Sequence, residues 1–533
     1  MSGTFPPDAA LLRLERDWPT LGSYVATAAS HAPDAPALVE GTRRITNAGL
    51  YSDVRRLVGG LRSIGVTRGD VVTLELPNWW ETTVAIHATL RTGAAVNPVV
   101  PIYRDREVAF IVGQARPRVL LIPHRFRGFD YVAMCERVLR RDEHAPTVIV
   151  VRPEGPLPAG YLSFDELLAS GEPDGADHGR VDDIALLLYT SGTTADPKGV
   201  LHDHRTLHHE NVSIVDLFRL DGESIVFMGS PVTHITGFLY GVLLPPMLGT
   251  TAALLDIWDA STARDLIDRE RCRFTVGATP FLAGLTSNYE SDPGDCPLTA
   301  FACGGADVPP DLVRRARDVL DATVVRVYGS SEFPTVSCTG PEGSAELAAE
   351  TDGPPIGEIT CRITDADDGV GELEARGPER FLGYLDASLN ADAFTTDGWV
   401  RTGDLAAIGP DGAITIHGRK KDIIIRGGEN ISVREVEEVL LDHPAVKDIA
   451  IVAMPDERMG ERACAFVVAA NDAVPTLPLL VAYLEQRGLA RQKFPERVEI
   501  VDELPRTASG KVQKFVLRDI AAQTDQTTPR RDR

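Results

Sequence analysis

Short aliphatic runs recur along the first two-thirds of the chain, too far apart to be hairpins. "VLLIP" (119–123), "TVIVV" (147–151), "IALLLYT" (184–190), "TAALL" (251–255) and "TVVRVYG" (323–329) lack polar alternation, as strands covered on both faces do. Between them lie stretches of helical period. "YSDVRRLVGGLRSIGV" (51–66) is one, and "WWETTVAIHATLRTGAAVNPV" (79–99) reads as a helix running into a turn. Strands interleaved with helices predict an α/β fold of parallel sheets with helices on their faces. A chain of 533 residues exceeds one ordinary core, so several subdomains are expected.

From "GVGELEARG" (369–377) to "AITIHGR" (413–419) the pattern changes to short strands and glycine turns, a small β-rich subdomain. After residue 418 it changes again. The helices "SVREVEEVLLDH" and "LPLLVAYLEQRGL" flank the strands "KDIAIVAMP" and "RACAFVVAA", the makings of a compact α+β domain. The expected division is a large N-terminal domain of αβ-layered sheets over 1–418, a small α+β domain over 419–520, and a disordered tail over 521–533.

The net charge of −23 excludes a broad nucleic-acid or anionic-membrane surface. Residues 419–533 balance their charges, so the whole deficit lies in 1–418. No apolar run approaches the ~18 residues of a membrane helix. The first residues lack a basic stretch followed by an apolar one, so no signal peptide is expected. The seven cysteines contain no CxxC pair and read as free thiols in a reducing cytoplasm.

The strand "IALLLYT" breaks into a loop, "SGTTADPKG" (191–199). Thr190, Ser191, Gly192, Thr193 and Thr194 can present hydroxyls and backbone N–H groups to phosphate oxygens. The loop fails the GxxxxGK[ST] spacing, and an ordinary Gly/Ser/Thr turn is the alternative. Further on, in order, come "YGSSE" (328–332), "GWVRTGD" (398–404), "GRKKD" (418–422) and "PRTASGK" (505–511). With the hydroxyl loop, these motifs resemble the adenylate-forming superfamily of acyl- and aryl-CoA synthetases, adenylation domains and beetle luciferases. The resemblance runs from about residue 20 to about residue 519. The C-terminal third is most similar to bacterial medium-chain, cyclohexanecarboxylate and aryl-CoA ligases.

The resemblance implies a role for each motif. The loop Thr190–Thr194 with Lys198 cradles the phosphates of ATP, Thr193 being catalytic. Gly304, Gly305 and Ala306 of "CGGA", with Tyr328, Gly329, Ser330 and Ser331, line the nucleotide, the Tyr328 ring lying against adenine. Glu332 is a hard oxygen ligand suited to Mg2+ beside phosphates; a lone glutamate is otherwise a solvated acid. Asp404 accepts hydrogen bonds from the ribose, and Arg419 offers a rigid donor fork for ribose or phosphate. Lys511 bridges the incoming carboxylate and the nucleotide. Lys421 is the hinge on which the small, mobile C-terminal domain turns between half-reactions, one orientation bringing Gly427 and Gly428 of "RGGEN" to line a pantetheine tunnel. In "PVTHITGFLYG" (231–241), His234 stands at the acid pocket, with Ile235, Phe238, Leu239 and Cys303 on its wall.

Other residues invite different readings. "HDHRTLHH" (202–209) has four histidines, but no cysteine or acidic cluster partners them and a metal site is disfavoured. Cys303 has no Cys/His signature around it and reads as pocket wall. Ser331 stands where the family has threonine, keeping the hydroxyl. Met459 stands where some CoA ligases have an aromatic residue that stacks on CoA. No "LGGxS" carrier site follows residue 519, which argues against a peptide synthetase with its own thiolation domain. The function implied is ATP-dependent activation of a small-molecule carboxylic acid to an acyl-adenylate, then transfer to the thiol of CoA. The alternative is adenylation of an acid or another oxyanion in a biosynthetic pathway, with transfer to a carrier protein or other acceptor instead of CoA, and the molecule is expected to be a cytoplasmic monomer or homodimer.

Overall fold

In a computed structural model of the chain, the aliphatic runs pair into two eight-stranded sheets. Every residue is described except 1–18, 141–144, 191–196, 306–307, 368, 423, 427–428, 432, 457–458, 471–473, 488, 490, 508–509 and 526–533. The chain divides into two compact units. Met1–Gly192, Asp196–Thr360 and Arg376–Ala393 form the first; Thr193–Ala195, Cys361–Ala375 and Phe394–Arg533 form the second.

In the first unit, one sheet is ordered Ser337–Cys338, Thr323–Tyr328, Ala300–Gly304, Phe274–Gly277, Val226–Met228, Ala252–Leu254, Pro36–Glu40, Arg43–Thr46. Its inner pairs are parallel and its two edge pairs antiparallel. The other sheet is ordered Gly383–Tyr384, Lys198–Asp203, Ile184–Thr190, Ala95–Pro98, Val71–Leu74, Val119–Pro123, Thr147–Val151, Leu162–Ser163. It is parallel except at the first two pairs. Ile184–Thr190 and Lys198–Asp203 are joined by fewer residues than a parallel crossover needs, so they pair antiparallel. The helix Trp80–Thr92 is buried along its whole length. Its Arg91 is 2% exposed and donates to the carbonyls of Gly22 at 2.9 Å and Gly175 at 2.6 Å, pairings that a buried charge requires.

Thr360–Asp367, Val370–Arg376, Val400–Ile408 and Ile414–Arg419 form a four-stranded sheet that belongs to the second unit but for the end residues Thr360 and Arg376. A five-stranded sheet follows, centred on the long hairpin Val446–Asp456 and Gly460–Ala469. Period-two alternation divides this hairpin between two cores. Ile449, Ile451, Ala463, Ala465 and Val467 face helices Val433–Leu441 and Leu477–Gln486, whereas Ala450, Val452, Cys464, Phe466 and Val468 face Lys514–Asp525. That last helix runs past residue 521, where the sequence suggested a tail. Leu517 and Ala521, one turn apart, are both buried in the second core and extend the helix to Asp525.

Candidate active site

Ligands of open α/β sheets bind beyond the carboxyl ends of the parallel strands. In the first unit, Ala300–Gly304 and Thr323–Tyr328 are adjacent there, with Gly304 in register with Val327. A Cβ on Gly304 would lie 2.1 Å from the Val327 carbonyl oxygen, and Gly305 has φ of +81°. Both positions therefore require glycine, and Ala306 lies outside the described residues. Cys303 is fully buried, and burial pushes its thiol up to about 12, so no thiolate nucleophile forms there.

The chain after Tyr328 folds back on itself. The Ser330 N–H donates to the Phe333 carbonyl at 2.8 Å, the Phe333 N–H returns a bond to Ser330 Oγ at 3.2 Å, and the Val336 N–H donates to the Tyr328 carbonyl. Gly329 lies within this turn. Neighbouring side chains fix the turn in two places. His202 Nε2 donates to the Ser331 carbonyl at 2.8 Å while its Nδ1 accepts from Thr206 Oγ1 at 3.0 Å. Burial holds this imidazole down at about 4, so it is neutral, with the proton on Nε2. Glu332 Oε1 accepts from the Tyr384 hydroxyl at 2.8 Å, and the Glu332 carbonyl accepts from the Phe381 N–H at 2.8 Å.

Thr190 and Lys198 face each other at the mouth of the hairpin that carries the hydroxyl loop. Ser191, Gly192, Thr193 and Thr194 lie outside the described residues. The Lys198 ammonium stands 5.0 Å from the centre of the Tyr384 ring.

The segment assigned to the acid pocket begins with His234, which is half-buried and precedes the short helix Ile235–Gly237. Its N–H donates to the Pro231 carbonyl, and its carbonyl accepts from the Phe238 N–H. Phe238–Leu243 continues as a π-helix, a widened turn that recurs at functional sites. Ile235, Phe238 and Leu239 are buried. Asn78 secures the approach: its amide donates to the carbonyls of Ser230 and Leu255 at 2.9 Å, and its oxygen accepts from the Val232 N–H at 2.8 Å. Tyr240, within the widened turn, donates to Glu210 Oε1 at 2.5 Å and meets Thr335 Oγ1 at 2.9 Å, while the Thr335 N–H donates to Glu210 Oε2 at 3.1 Å. Glu210 is fully buried, and burial raises its acid to about 8, with the negative field of Glu379 adding to the shift.

The second unit carries the remaining motifs. Asp404 and Arg419 are cross-strand neighbours, with Arg419 Nε 2.9 Å from Asp404 Oδ1. The carboxylate is buried and the guanidinium 44% exposed. Lys421 sits in the single turn Lys420–Asp422. On either side of it, Lys420 pairs with Glu372 at 2.7 Å and Asp422 pairs with Arg518. Gly427 and Gly428 lie outside the described residues. Lys511 is half-buried; its N–H donates to Thr507 Oγ1 at 3.1 Å and its carbonyl accepts from the Thr507 N–H at 2.7 Å.

Three histidines of "HDHRTLHH" go to separate partners: His202 to Ser331, His204 Nδ1 to the Leu21 N–H at 3.0 Å, and His208 to the Tyr24 hydroxyl at 2.5 Å. Among the described residues, no cluster of three His, Cys, Asp or Glu side chains surrounds a common point. The donor set at Glu332 is one carboxylate beside hydroxyls. It fits Mg2+, a hard cation that takes one or two protein carboxylates and completes its shell with phosphate oxygens and water.

The sequence reading passed over Asn78, Glu210, Tyr240, Thr335 and Tyr384. Each acts through a contact far away in sequence, and a single polar residue in an apolar run carries no spacing signal. No described helix is long and apolar enough to cross a membrane.

A family model for "AMP-binding enzyme" matches residues 25–385, and one for "AMP-binding enzyme C-terminal domain" matches residues 435–511. The chain is 33% identical over 515 residues to the medium-chain fatty-acid–CoA ligase of Escherichia coli (strain K12), covering 94% of this chain and 90% of that protein. It is 32% identical over 517 residues to the 2,3-dihydroxybenzoate-AMP ligase of Bacillus subtilis (strain 168), covering 94% and 93%. Among solved structures, ATP-bound MatB from Rhodopseudomonas palustris matches with a TM-score of 0.83 at 26% identity, covering 94% of this chain and 98% of that one.

Proposed function

We propose that this chain, which belongs to the AMP-binding enzyme family, is an acyl-CoA ligase for an apolar monocarboxylic acid. Its class is that of AMP-forming acid–thiol ligases, which activate an acid as its adenylate. The observation that carries the reading of the site is the turn beyond Tyr328. There a carboxylate, Glu332, is held by the Tyr384 hydroxyl, and the same Tyr384 ring lies against Lys198 of the hydroxyl loop.

In the first half-reaction, a carboxylate oxygen of the acid attacks the α-phosphorus of ATP. The new O–P bond forms as the bond from that phosphorus to the bridging oxygen of pyrophosphate breaks. The protein's work is alignment and charge neutralisation. Lys198 and the loop Thr190–Thr194 hold the leaving pyrophosphate, Tyr328 flanks the adenine, Asp404 accepts from the ribose hydroxyls, and Arg419 orients Asp404. Lys511 neutralises the approaching carboxylate and the α-phosphate. Glu332 would hold Mg2+, which when bound supplies positive charge to the phosphates. In the second half-reaction, the thiol sulfur attacks the acyl carbon, the bond to AMP breaks, and the thiol proton passes to solvent. Lys421 serves as the hinge between the two steps, with Gly427 and Gly428 beside the pantetheine arm.

Two observations favour an apolar acid and CoA. His234–Leu239 holds no Asp, Glu, Lys or Arg that could pair a second charge on the substrate, and Ile235, Phe238 and Leu239 are buried aliphatic or aromatic residues. The E. coli relative is a medium-chain fatty-acid–CoA ligase by name, although the B. subtilis relative is named as an AMP ligase. The test is thioester formation from straight-chain, branched and aromatic acids with ATP, offering CoA or a phosphopantetheinylated carrier protein. Acyl-CoA is the expected product; a thioester formed only on the carrier would remove CoA as acceptor.

A further inference from the structure

Tyr384 belongs to none of the motifs read from the sequence, yet it touches two of them. It ends the two-residue edge strand Gly383–Tyr384, which pairs antiparallel with Lys198–Asp203 so that Tyr384 lies opposite Val200. Lys198 is two residues before Val200, so the alternation of strands puts Lys198 and Tyr384 on one face as diagonal neighbours. The ammonium is 5.0 Å from the ring centre, within cation–π range.

The ring is 8% exposed and packs edge-on against Phe381 with centres 5.0 Å apart. Its backbone is anchored separately, the Tyr384 N–H donating to Asn390 Oδ1 at 2.8 Å. From this rigid seat the hydroxyl donates to Glu332 Oε1 at 2.8 Å, while the Phe381 N–H donates to the Glu332 carbonyl. One short edge segment therefore grips Glu332 by both its main chain and its carboxylate. A glutamate has three side-chain torsions, and an unheld one must lose that freedom whenever it binds a cation. A donor already bonded to Oε1 removes the freedom beforehand and leaves Oε2 as the ligating oxygen.

We propose that Tyr384 is a positioning residue for the metal–pyrophosphate side of the site: its hydroxyl fixes the Glu332 carboxylate for a divalent cation, and its ring seats Lys198. The inference rests on the reading of Glu332 as the metal ligand. Tyr384→Phe removes the hydroxyl and keeps the ring; Tyr384→Leu removes both.

The readout is Mn2+ binding, followed by electron paramagnetic resonance, in the presence of an ATP analogue with a methylene bridge between the α- and β-phosphates, so that no turnover is needed. Tyr384→Phe should weaken Mn2+ binding about tenfold, the scale of one lost hydrogen bond to a charged group. It should leave metal-free affinity for the analogue, measured with EDTA, at the wild-type value. Tyr384→Leu should lower that metal-free affinity as well. In a Glu332→Gln background, adding Tyr384→Phe should weaken Mn2+ binding no further, because the two side chains act as one unit. Wild-type Mn2+ affinity in Tyr384→Phe, with a wild-type melting curve, overturns the role of Tyr384 and leaves the function standing. Equal additive losses in the two backgrounds also overturn it. No nucleotide-dependent Mn2+ binding by the wild-type protein overturns both the inference and the reading of Glu332.

Discussion

Replacing Glu210 by glutamine should change how stability depends on pH, in a direction fixed by burial. Glu210 joins the π-helix Phe238–Leu243 to the turn that carries Glu332, accepting from the Tyr240 hydroxyl and the Thr335 N–H. Burial raises its acid from an ordinary 4.5 to about 8. Between those values the folded protein holds a proton that the unfolded chain has released, so stability falls as pH rises. The contribution is complete below 4.5 and is lost as pH climbs through about 8. Its size is about 1.4 kcal/mol per pH unit within that window, of the order of 5 kcal/mol across it. Glutamine has the shape of the protonated acid and does not titrate. One of its amide hydrogens can meet Tyr240 Oη and its oxygen can accept from Thr335, leaving one N–H unsatisfied at a cost of about 1–3 kcal/mol. At the acid end Glu210→Gln should therefore be less stable than wild type, and the gap should close and then reverse as pH rises. Urea transitions of both proteins, followed by tryptophan fluorescence across the window, measure this with every other titrating group in common. A difference between the two proteins that stays constant from acid to alkaline pH would refute the claim that Glu210 is buried as the neutral acid.

Three further substitutions have expected outcomes. Gly304→Ala drives a methyl group to 2.1 Å from the Val327 carbonyl oxygen and should cost about 1–3 kcal/mol of stability through overpacking, read as a lower urea midpoint; an unchanged midpoint would mean that the two strands separate freely there. Asp404→Asn weakens the 2.9 Å pair with Arg419 and a charged acceptor for the ribose, and should raise KM for ATP about tenfold, ~1.4 kcal/mol, with a melting temperature close to wild type. Lys511→Ala should abolish acid-dependent pyrophosphate exchange while sparing thioester formation from a supplied acyl-adenylate; loss of both reactions would assign Lys511 a different role.

The parallel sheets were legible because five aliphatic runs without alternation have few other ways to fold, and the motif order marked which strand ends carry chemistry. Asp404 and Arg419 appeared in the sequence as separate motifs, but pairing across a hairpin is a property of register, and only the structure makes them neighbours. The polar side chains that fix the site were not legible. Glu210, Tyr240 and Thr335 are separated by tens of residues and meet only once a helix, a widened turn and a strand-end loop have packed together. Tyr384 reads as a lone aromatic residue after a glycine; its meaning comes from pairing with Lys198–Asp203. The end of the last helix was misjudged because "AAQTDQTT" is polar and weakly periodic, whereas the packing that extends the helix to Asp525 comes from Leu517 and Ala521.

Acid activation at the α-phosphate of ATP is the step on which every proposed residue role depends. The most direct measurement is exchange of labelled pyrophosphate into ATP across a panel of carboxylic acids, without any thiol acceptor. Exchange should depend on an acid, be strongest with apolar monocarboxylic acids, and disappear in Lys511→Ala. Absence of exchange with every acid, or exchange that proceeds equally well without one, would contradict it.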